Sequence, residues 1–277
     1  MSGEEPNVPD TPDLPDRPAE TASAAPEPPR VDRDAGGDSG GAGLAADGDA
    51  DSEIAVHAVG IGPGNPEFLT RRAGRLLREA DVVVGFETVV DYVADETDAD
   101  LITCGYRDEP EALGRFAARV DDGARGVAVL MGDPNHSGYQ FLGKVESAVD
   151  APVEVVPGVS SVQVAASRAR TPLEGSTFVT LHVRGDVSAD LERLSRDAGA
   201  RHLIVIPRPY DWMPEDVAAR LIADGADPSL DALVLERMTH ADEQVTRTDL
   251  GALADGAGGD GADDTAFSDL SVLVVRA

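Results

Sequence analysis

Three glycine-rich turns in this chain could hold a small ligand against backbone amides. They are residues 60–66 (Gly-Ile-Gly-Pro-Gly-Asn-Pro), 131–138 (Met-Gly-Asp-Pro-Asn-His-Ser-Gly) and 156–161 (Val-Pro-Gly-Val-Ser-Ser). Each follows a hydrophobic run and precedes a helical pattern, so a bound ligand would meet amides near a helix amino end. No Gly-Lys-Ser/Thr phosphate loop occurs, and the first turn lacks the third glycine of the dinucleotide fingerprint. Amides, hydroxyls and one carboxylate suit a ligand with adenosine, amino-acid and sulfonium parts better than a triphosphate, although each turn alone could be a simple tight turn.

The first half of the chain alternates strand and helix patterns that would bring these turns together. Hydrophobic runs predict strands at 54–61, 82–84, 101–103, 127–131 and 153–156, and helical spacing predicts helices at 67–80, 110–120 and 138–149. This alternation is typical of a parallel α/β sheet covered on both faces. The three turns then lie on the carboxyl edge of one sheet, where ligands bind in open α/β folds.

The second half predicts a mixed, partly antiparallel sheet. Strands are expected at 178–181, 203–206, 232–235, 244–246 and 272–275, and helices at 160–170, 189–197 and 214–224. We therefore predict an α/β protein with an N-terminal domain over 53–157, a C-terminal domain over 158–277 and a flexible loop at 254–264. Residues 1–52 are predicted to be a disordered acidic tail because they are rich in proline and poor in large apolar residues.

The charge of the chain excludes several functions. It carries 52 acidic and 23 basic residues, a net charge of −29, of which about −10 falls on the tail. Such a surface repels nucleic acid and anionic lipid. Lys144 is the only lysine, a composition typical of halophilic proteins but also of GC-rich genomes. We find no apolar stretch long enough for a membrane span and no secretory signal pattern, so we expect a cytoplasmic protein.

Four ordered segments resemble the tetrapyrrole methylase family of S-adenosylmethionine-dependent enzymes. They are 59–70 (Val-Gly-Ile-Gly-Pro-Gly-Asn-Pro-Glu-Phe-Leu-Thr), 80–85 (Ala-Asp-Val-Val-Val-Gly), 132–134 (Gly-Asp-Pro) and 157–161 (Pro-Gly-Val-Ser-Ser). The resemblance extends over 54–277. Within the family, segments 157–168, 180–184 and 236–243 are most similar to members that methylate C5 of cobalt-precorrin-7 in anaerobic cobalamin biosynthesis. One position departs from that subgroup, because Val183 stands where its members have glycine between histidine and arginine.

The resemblance implies a two-domain fold, usually a homodimer, with S-adenosylmethionine in the cleft between the domains. A cobalt-precorrin tetrapyrrole would be the substrate, and a C15-methylating, decarboxylating enzyme is a further expected partner. The positions that match the family's cofactor contacts are Gly62, Pro63, Gly64, Gly132, Asp133, Pro134, Ser160, Ser161, Val162 and Leu181. Residues 207–209 would line the cleft from the second domain.

Catalysis would depend mainly on aligning the methyl group with a ring carbon, since the donor is already activated. His182 is the first candidate for a base or polariser, with Arg184 as a second catalytic candidate, and a histidine that only completes a strand end is the alternative. Candidates for pairing with substrate carboxylates, or for structural ion pairs, are Arg168, Arg184, Arg208 and Arg237. Cys104 is expected to be a buried, inert thiol.

No protein metal site is expected, because His136 and His240 lack a third ligand at metal spacing. Any cobalt would enter with the substrate. Other functions stay open at this point: methylation of a different ring carbon, diphthine synthesis on a protein histidine, or a non-catalytic acidic binding module.

Overall fold

Our structure is a computed structural model that describes residues 56–136, 139–209, 211–258 and 265–277. The predicted tail over 1–52 and positions 259–264 of the predicted loop lie outside the described residues. The first five strands are β1 (Val56–Gly60), β2 (Val82–Phe86), β3 (Asp100–Cys104), β4 (Gly126–Leu130) and β5 (Val153–Val156). They form an all-parallel sheet in the order β3-β2-β4-β1-β5, which confirms the predicted parallel fold.

Helices cover both faces of this sheet because its strands are apolar on both sides. The helices are α1 (Arg71–Glu79), α2 (Glu87–Asp91), α3 (Glu109–Asp121) and α4 (Tyr139–Ala148). Leu76 and Leu77 of α1 pack with Val59 and Val83 on one face, whereas Phe116 of α3 packs on the other face. The sheet is thus enclosed, and only its edges and ends remain for binding.

One predicted helix divides into two elements. The helix expected at 67–80 is a 3₁₀ turn, Pro66–Phe68, followed by α1. Thr70 separates them because its backbone is extended, with ψ 151°, and its hydroxyl accepts the Ala73 N–H at 3.1 Å as an N-cap. The short α2 was not predicted, since five residues carry too little periodicity.

The second half forms a mixed sheet, as predicted. Its strands are β6 (Ser176–Thr180), β7 (His202–Ile206), β8 (Asp231–Glu236), β9 (Gln244–Asp249) and β10 (Ser271–Val275), in the order β6-β7-β10-β8-β9. Only β6 and β7 pair in parallel, and the other pairs are antiparallel. The helices here are α5 (Ser161–Ala169), α6 (Ser188–Asp197), α7 (Pro214–Ala223) and the unpredicted α8 (Leu250–Ala254).

The two sheets meet around α5. This helix follows β5 directly, yet its buried face (Val162, Ala165, Ala166) packs on the second sheet with Ile204 and Leu235. Phe68, from the 3₁₀ turn after β1, packs against the same cluster. The predicted domain boundary near Pro157 stays a prediction. Within the described residues, no helix is long and apolar enough to cross a membrane.

Candidate active site

The three glycine-rich turns meet because β4, β1 and β5 are neighbours in the first sheet. Their backbones touch at glycines. A Cβ added at Gly60 would lie 2.6 Å from both the Gly132 carbonyl oxygen and the Gly158 nitrogen. Real Cβ atoms do not approach backbone atoms so closely, so only glycine allows the turns to meet here.

Hydrogen bonds lock the turns to one another. The amides of Gly62 and Gly132 donate to each other's carbonyls, at 3.2 and 2.9 Å. Asp133 accepts the Gly158 N–H at 3.2 Å with one carboxylate oxygen and the Asn135 N–H at 3.0 Å with the other. Asp133 therefore both opens its own turn and joins the second turn to the third. Its predicted bond to a cofactor stays a prediction, as does the role of Pro134, which is buried beside Gly60.

Ser160, in the third turn, is the N-cap of α5. Its hydroxyl accepts the Val162 N–H at 3.2 Å, and the Gln163 side chain accepts the Ser160 N–H, which completes a capping box. Val162 is buried in the core beneath the turn, whereas Ser161 is partly exposed. Of these three predicted cofactor residues, Ser161 is the one whose side chain is neither in the core nor engaged in the cap.

His136 is a site residue that the sequence analysis weighed only as a metal ligand. Its Nδ1 lies 2.8 Å from Ser160 Oγ, and its ring packs edge-on against Phe178 of the second sheet, with centroids 4.8 Å apart. Burial lowers the pKa of His136 below its ordinary value, and the nearby charge of Asp133 opposes this shift only in part. A neutral imidazole therefore lies where the second turn, the third turn and the second sheet meet. The sequence signal for His136 was its position, since it is a polar residue within the second glycine-rich turn.

The turn after β8 reaches across to the first glycine-rich turn. The Thr239 hydroxyl donates to the Pro63 carbonyl at 3.3 Å, and the Asn65 side-chain amide donates to the Thr239 carbonyl at 3.0 Å. Gly64, at φ 111°, faces His240, since an added Cβ would lie 2.6 Å from the imidazole. His240 in turn packs on Tyr92, with centroids 5.6 Å apart. The first turn is thus held between residues of both halves of the chain.

His182 lies just beyond the end of β6 and is partly buried. Burial lowers its pKa below the ordinary value, while a hydrogen bond to the Pro207 carbonyl and the charge of Asp269 raise it. The imidazole is therefore neutral at pH 7, with one nitrogen donating to Pro207. This is the protonation state that a general base requires, and the catalytic role of His182 stays a prediction.

Arg208 holds the loop that carries His182 through hydrogen bonds to its backbone. Arg208 donates to the carbonyls of Val183 and Gly185, at 3.3 and 2.8 Å, and pairs with Asp211 through both guanidinium arms. Its guanidinium is thus used to shape the loop. Leu181 is fully buried in the second core, so only its backbone can face a ligand. Arg184 is exposed.

Two more of the candidate arginines form structural ion pairs. Arg168 binds both carboxylate oxygens of Glu243, at 2.7 and 3.2 Å, and holds the pKa of Glu243 below its usual range. Arg237 pairs with Asp242 at 2.7 Å. The ion-pair interpretation left open by the sequence therefore applies to Arg168, Arg208 and Arg237. A larger group of arginines lies on α1 instead, around a 560 Å³ groove lined by Arg71, Arg72, Arg75 and Arg78.

Cys104 is buried, as predicted. Its thiol donates to the Gly85 carbonyl at 3.4 Å, and burial raises its pKa to about 11, so the reactive thiolate is scarce at neutral pH.

Within the described ranges, no cluster of three or more metal-binding side chains occurs.

The polar groups at the site suit a ligand that carries an uncharged adenosine and a zwitterionic amino-acid group. The three turns present backbone amides and carbonyls, the hydroxyl of Ser161 and the carboxylate of Asp133, with no arginine or lysine among residues 60–66, 131–136 and 157–161. Such a set is suited to adenosine and amino-acid groups and poorly suited to a phosphate cluster.

This architecture defines a class of protein. The fold superposes on uroporphyrin-III C-methyl transferase from Thermus thermophilus, solved in complex with S-adenosyl homocysteine, with a TM-score of 0.59 and 26% identity over 80% of this chain and 96% of that one. The chain therefore has the fold of a C-methyltransferase with two α/β halves.

The family follows from the sequence profile. That of the Tetrapyrrole (Corrin/Porphyrin) Methylases matches residues 55–254, and the chain belongs to this family. The predicted family, the methyltransferase activity and S-adenosylmethionine as the methyl donor are confirmed at this level.

Two relatives differ in how much of their length the chain spans. It is 30% identical to a probable cobalt-precorrin-7 C(5)-methyltransferase of Methanocaldococcus jannaschii over 73% of this chain and 92% of that protein. It is also 30% identical to a siroheme synthase of Methylococcus capsulatus, over 72% of this chain but 45% of that longer protein.

Proposed function

We propose that this protein transfers a methyl group from S-adenosylmethionine to C5 of cobalt-precorrin-7. The observation that carries the choice of substrate is the extent of the match to the Methanocaldococcus protein, which the chain spans almost completely. The siroheme synthase matches with less than half of its length. The metal ion belongs to the substrate in this proposal.

The cofactor binds where the three turns converge. Backbone groups of Gly62, Pro63 and Gly64, the second turn at Gly132 and Asp133, and the hydroxyl of Ser161 surround one end of the first sheet. These groups are held in place before binding by the bonds between Gly62 and Gly132 and between Asp133 and Gly158. Preorganisation of this kind reduces the ordering cost of binding.

S-adenosylmethionine supplies a methyl group already activated on a sulfonium, so the chain needs no nucleophile of its own. Its residues orient the two reactants, an effect that reaches roughly 7–11 kcal/mol in model systems. Burial lowers the pKa of His182 and keeps the imidazole neutral, while the Pro207 carbonyl accepts a hydrogen bond from the ring. We assign it the removal of a proton from the methylated ring carbon, with Arg184 contacting substrate carboxylates nearby.

Product analysis tests this proposal. The purified chain is incubated with S-adenosylmethionine and a set of cobalt-precorrins, and the products are analysed by mass spectrometry and NMR. A single added methyl at C5 of cobalt-precorrin-7 is the expected result. Methylation of another carbon, or of no tetrapyrrole, would overturn the substrate assignment.

Calorimetry tests the cofactor site separately. Asp133→Ala and Gly64→Trp should each weaken cofactor binding.

Methylation of a uroporphyrin-type ring is the second candidate. It is favoured by the 26% identity to the Thermus enzyme and by the siroheme synthase matches. Including uroporphyrinogen III in the same incubation separates the two, because the ring systems differ in mass and in metal content. A homodimer and a C15-methylating partner are further proposals, which sedimentation and co-purification test.

A further inference from the structure

The turn between β8 and β9 has an unfavourable backbone. Arg237 and Thr239 both have positive φ, at 44° and 71°. For a β-branched residue such as Thr239 this region is a genuine outlier, and it persists only where surrounding contacts impose it. Strained positions of this kind cluster at ligand sites, so the contacts that hold Thr239 in this conformation are relevant to ligand binding.

Thr239 is buried and connects to the first glycine-rich turn through two bonds. Its hydroxyl donates to the Pro63 carbonyl, and its own carbonyl accepts the Asn65 side-chain amide. These bonds join residues 176 and 174 positions apart in the chain. The position of the first turn relative to the second half therefore depends on the conformation of Thr239.

Glu243 holds this conformation. Its Oε2 accepts the Thr239 N–H at 2.7 Å, and both its oxygens accept hydrogen bonds from the Arg168 guanidinium. Arg168 lies on α5, the helix whose N-cap is Ser160 of the third glycine-rich turn. A continuous set of contacts thus runs from the third turn through α5, Arg168, Glu243 and Thr239 to the first turn.

We propose that Glu243 is a positioning residue that fixes Thr239 between the first turn and α5, the helix that follows the third turn, and thereby sets the affinity for the methyl donor. The inference rests on the proposed function, since it assumes that the two turns bind the cofactor. Glu243 itself is not placed in contact with the ligand. Its effect is transmitted through Thr239, so the side chain matters for how tightly a ligand binds between the turns.

Calorimetry with S-adenosylhomocysteine on the full chain tests the proposal. Glu243→Ala should raise the Kd about tenfold or more, and Glu243→Gln, which keeps an acceptor for the Thr239 N–H, should recover part of that loss. Asp81→Ala is the matched control. Asp81 likewise accepts two guanidinium bonds and a backbone N–H, all from Arg125, but lies outside the three turns. Its loss should leave the Kd within about twofold.

A second variant separates positioning from general stability. Thr239→Gly removes the strain, so Glu243→Ala should have a smaller effect on the Kd in the Thr239→Gly background than in the wild-type chain. Equal effects in both backgrounds, or a Kd for Glu243→Ala within twofold of wild type, would overturn the proposal. Failure of the wild-type chain to bind S-adenosylhomocysteine would instead overturn the proposed function.

Discussion

Gly158 lies so close to Gly132 that an added Cβ would stand 2.1 Å from the Gly132 carbonyl oxygen. The contact is between two backbones, so no side chain can move aside to relieve it. The joint between the second and third turns thus depends on the absence of one methyl group.

Gly158→Ala should therefore separate these two turns. We expect a loss of about 1–3 kcal/mol in the free energy of unfolding, as for other overpacked sites, together with loss of S-adenosylhomocysteine binding. Gly114→Ala is the control, because Gly114 lies within α3 with nothing within 4 Å of its added Cβ. That change should stabilise the protein by up to about 1 kcal/mol. Urea unfolding and calorimetry measure both quantities, and a Gly158→Ala protein as stable as wild type would refute the explanation.

Replacement of His182 tests its assignment as a base. His182→Gln should lower kcat by roughly 10²–10⁴-fold, the usual contribution of general base catalysis, and leave S-adenosylhomocysteine affinity within a few-fold. Because burial lowers the pKa of His182, the wild-type rate should decline only below pH 6.5. His202→Gln is the control, because His202 begins β7 at the end of the second sheet opposite to the one where β6 leads into His182. An unchanged kcat in His182→Gln would remove the base from the mechanism.

Acid should destabilise the fold through the partly buried His136. The pKa of His136 is lowered in the folded state by burial, whereas an unfolded histidine titrates near its ordinary value of 6.5. The unfolded chain therefore binds more protons between the two values, and stability falls as pH drops through that window. Unfolding free energies measured from pH 7.5 to 5 should decline less steeply in His136→Gln than in wild type. Parallel curves for the two proteins would show that another group is responsible.

Salt should stabilise this protein. The net charge of −29 implies self-repulsion, which is screened as the Debye length falls from about 10 Å at 0.1 M to about 3 Å at 1 M. We expect the melting temperature to rise between 0.1 and 2 M KCl. Neutral sucrose at matched osmolality is the control for non-ionic effects. Equal or higher stability at low salt would contradict the halophilic interpretation.

Local patterns were sufficient to predict most of the secondary structure and the mixed second sheet. Hydrophobic runs such as 127–131 and 203–206 mark buried strands because burial requires apolar side chains on both faces. The errors lie where the signal is short. Thr70 interrupts the predicted first helix by capping it, and α2 and α8 have five residues each.

The sequence by itself determined the fold class and the three glycine-rich turns, because strand periodicity and turn composition are local properties, and its ordered motifs carried the resemblance to the family. Only the tertiary structure decided which side chains contact one another around the three turns. It brought His136 to Ser160 and Thr239 to Pro63, and it engaged Arg168, Arg208 and Arg237 in internal contacts. Such partnerships depend on strand order and on how the two sheets pack. Hydrogen bonds between residues 23 to 176 positions apart leave no periodic trace in the sequence.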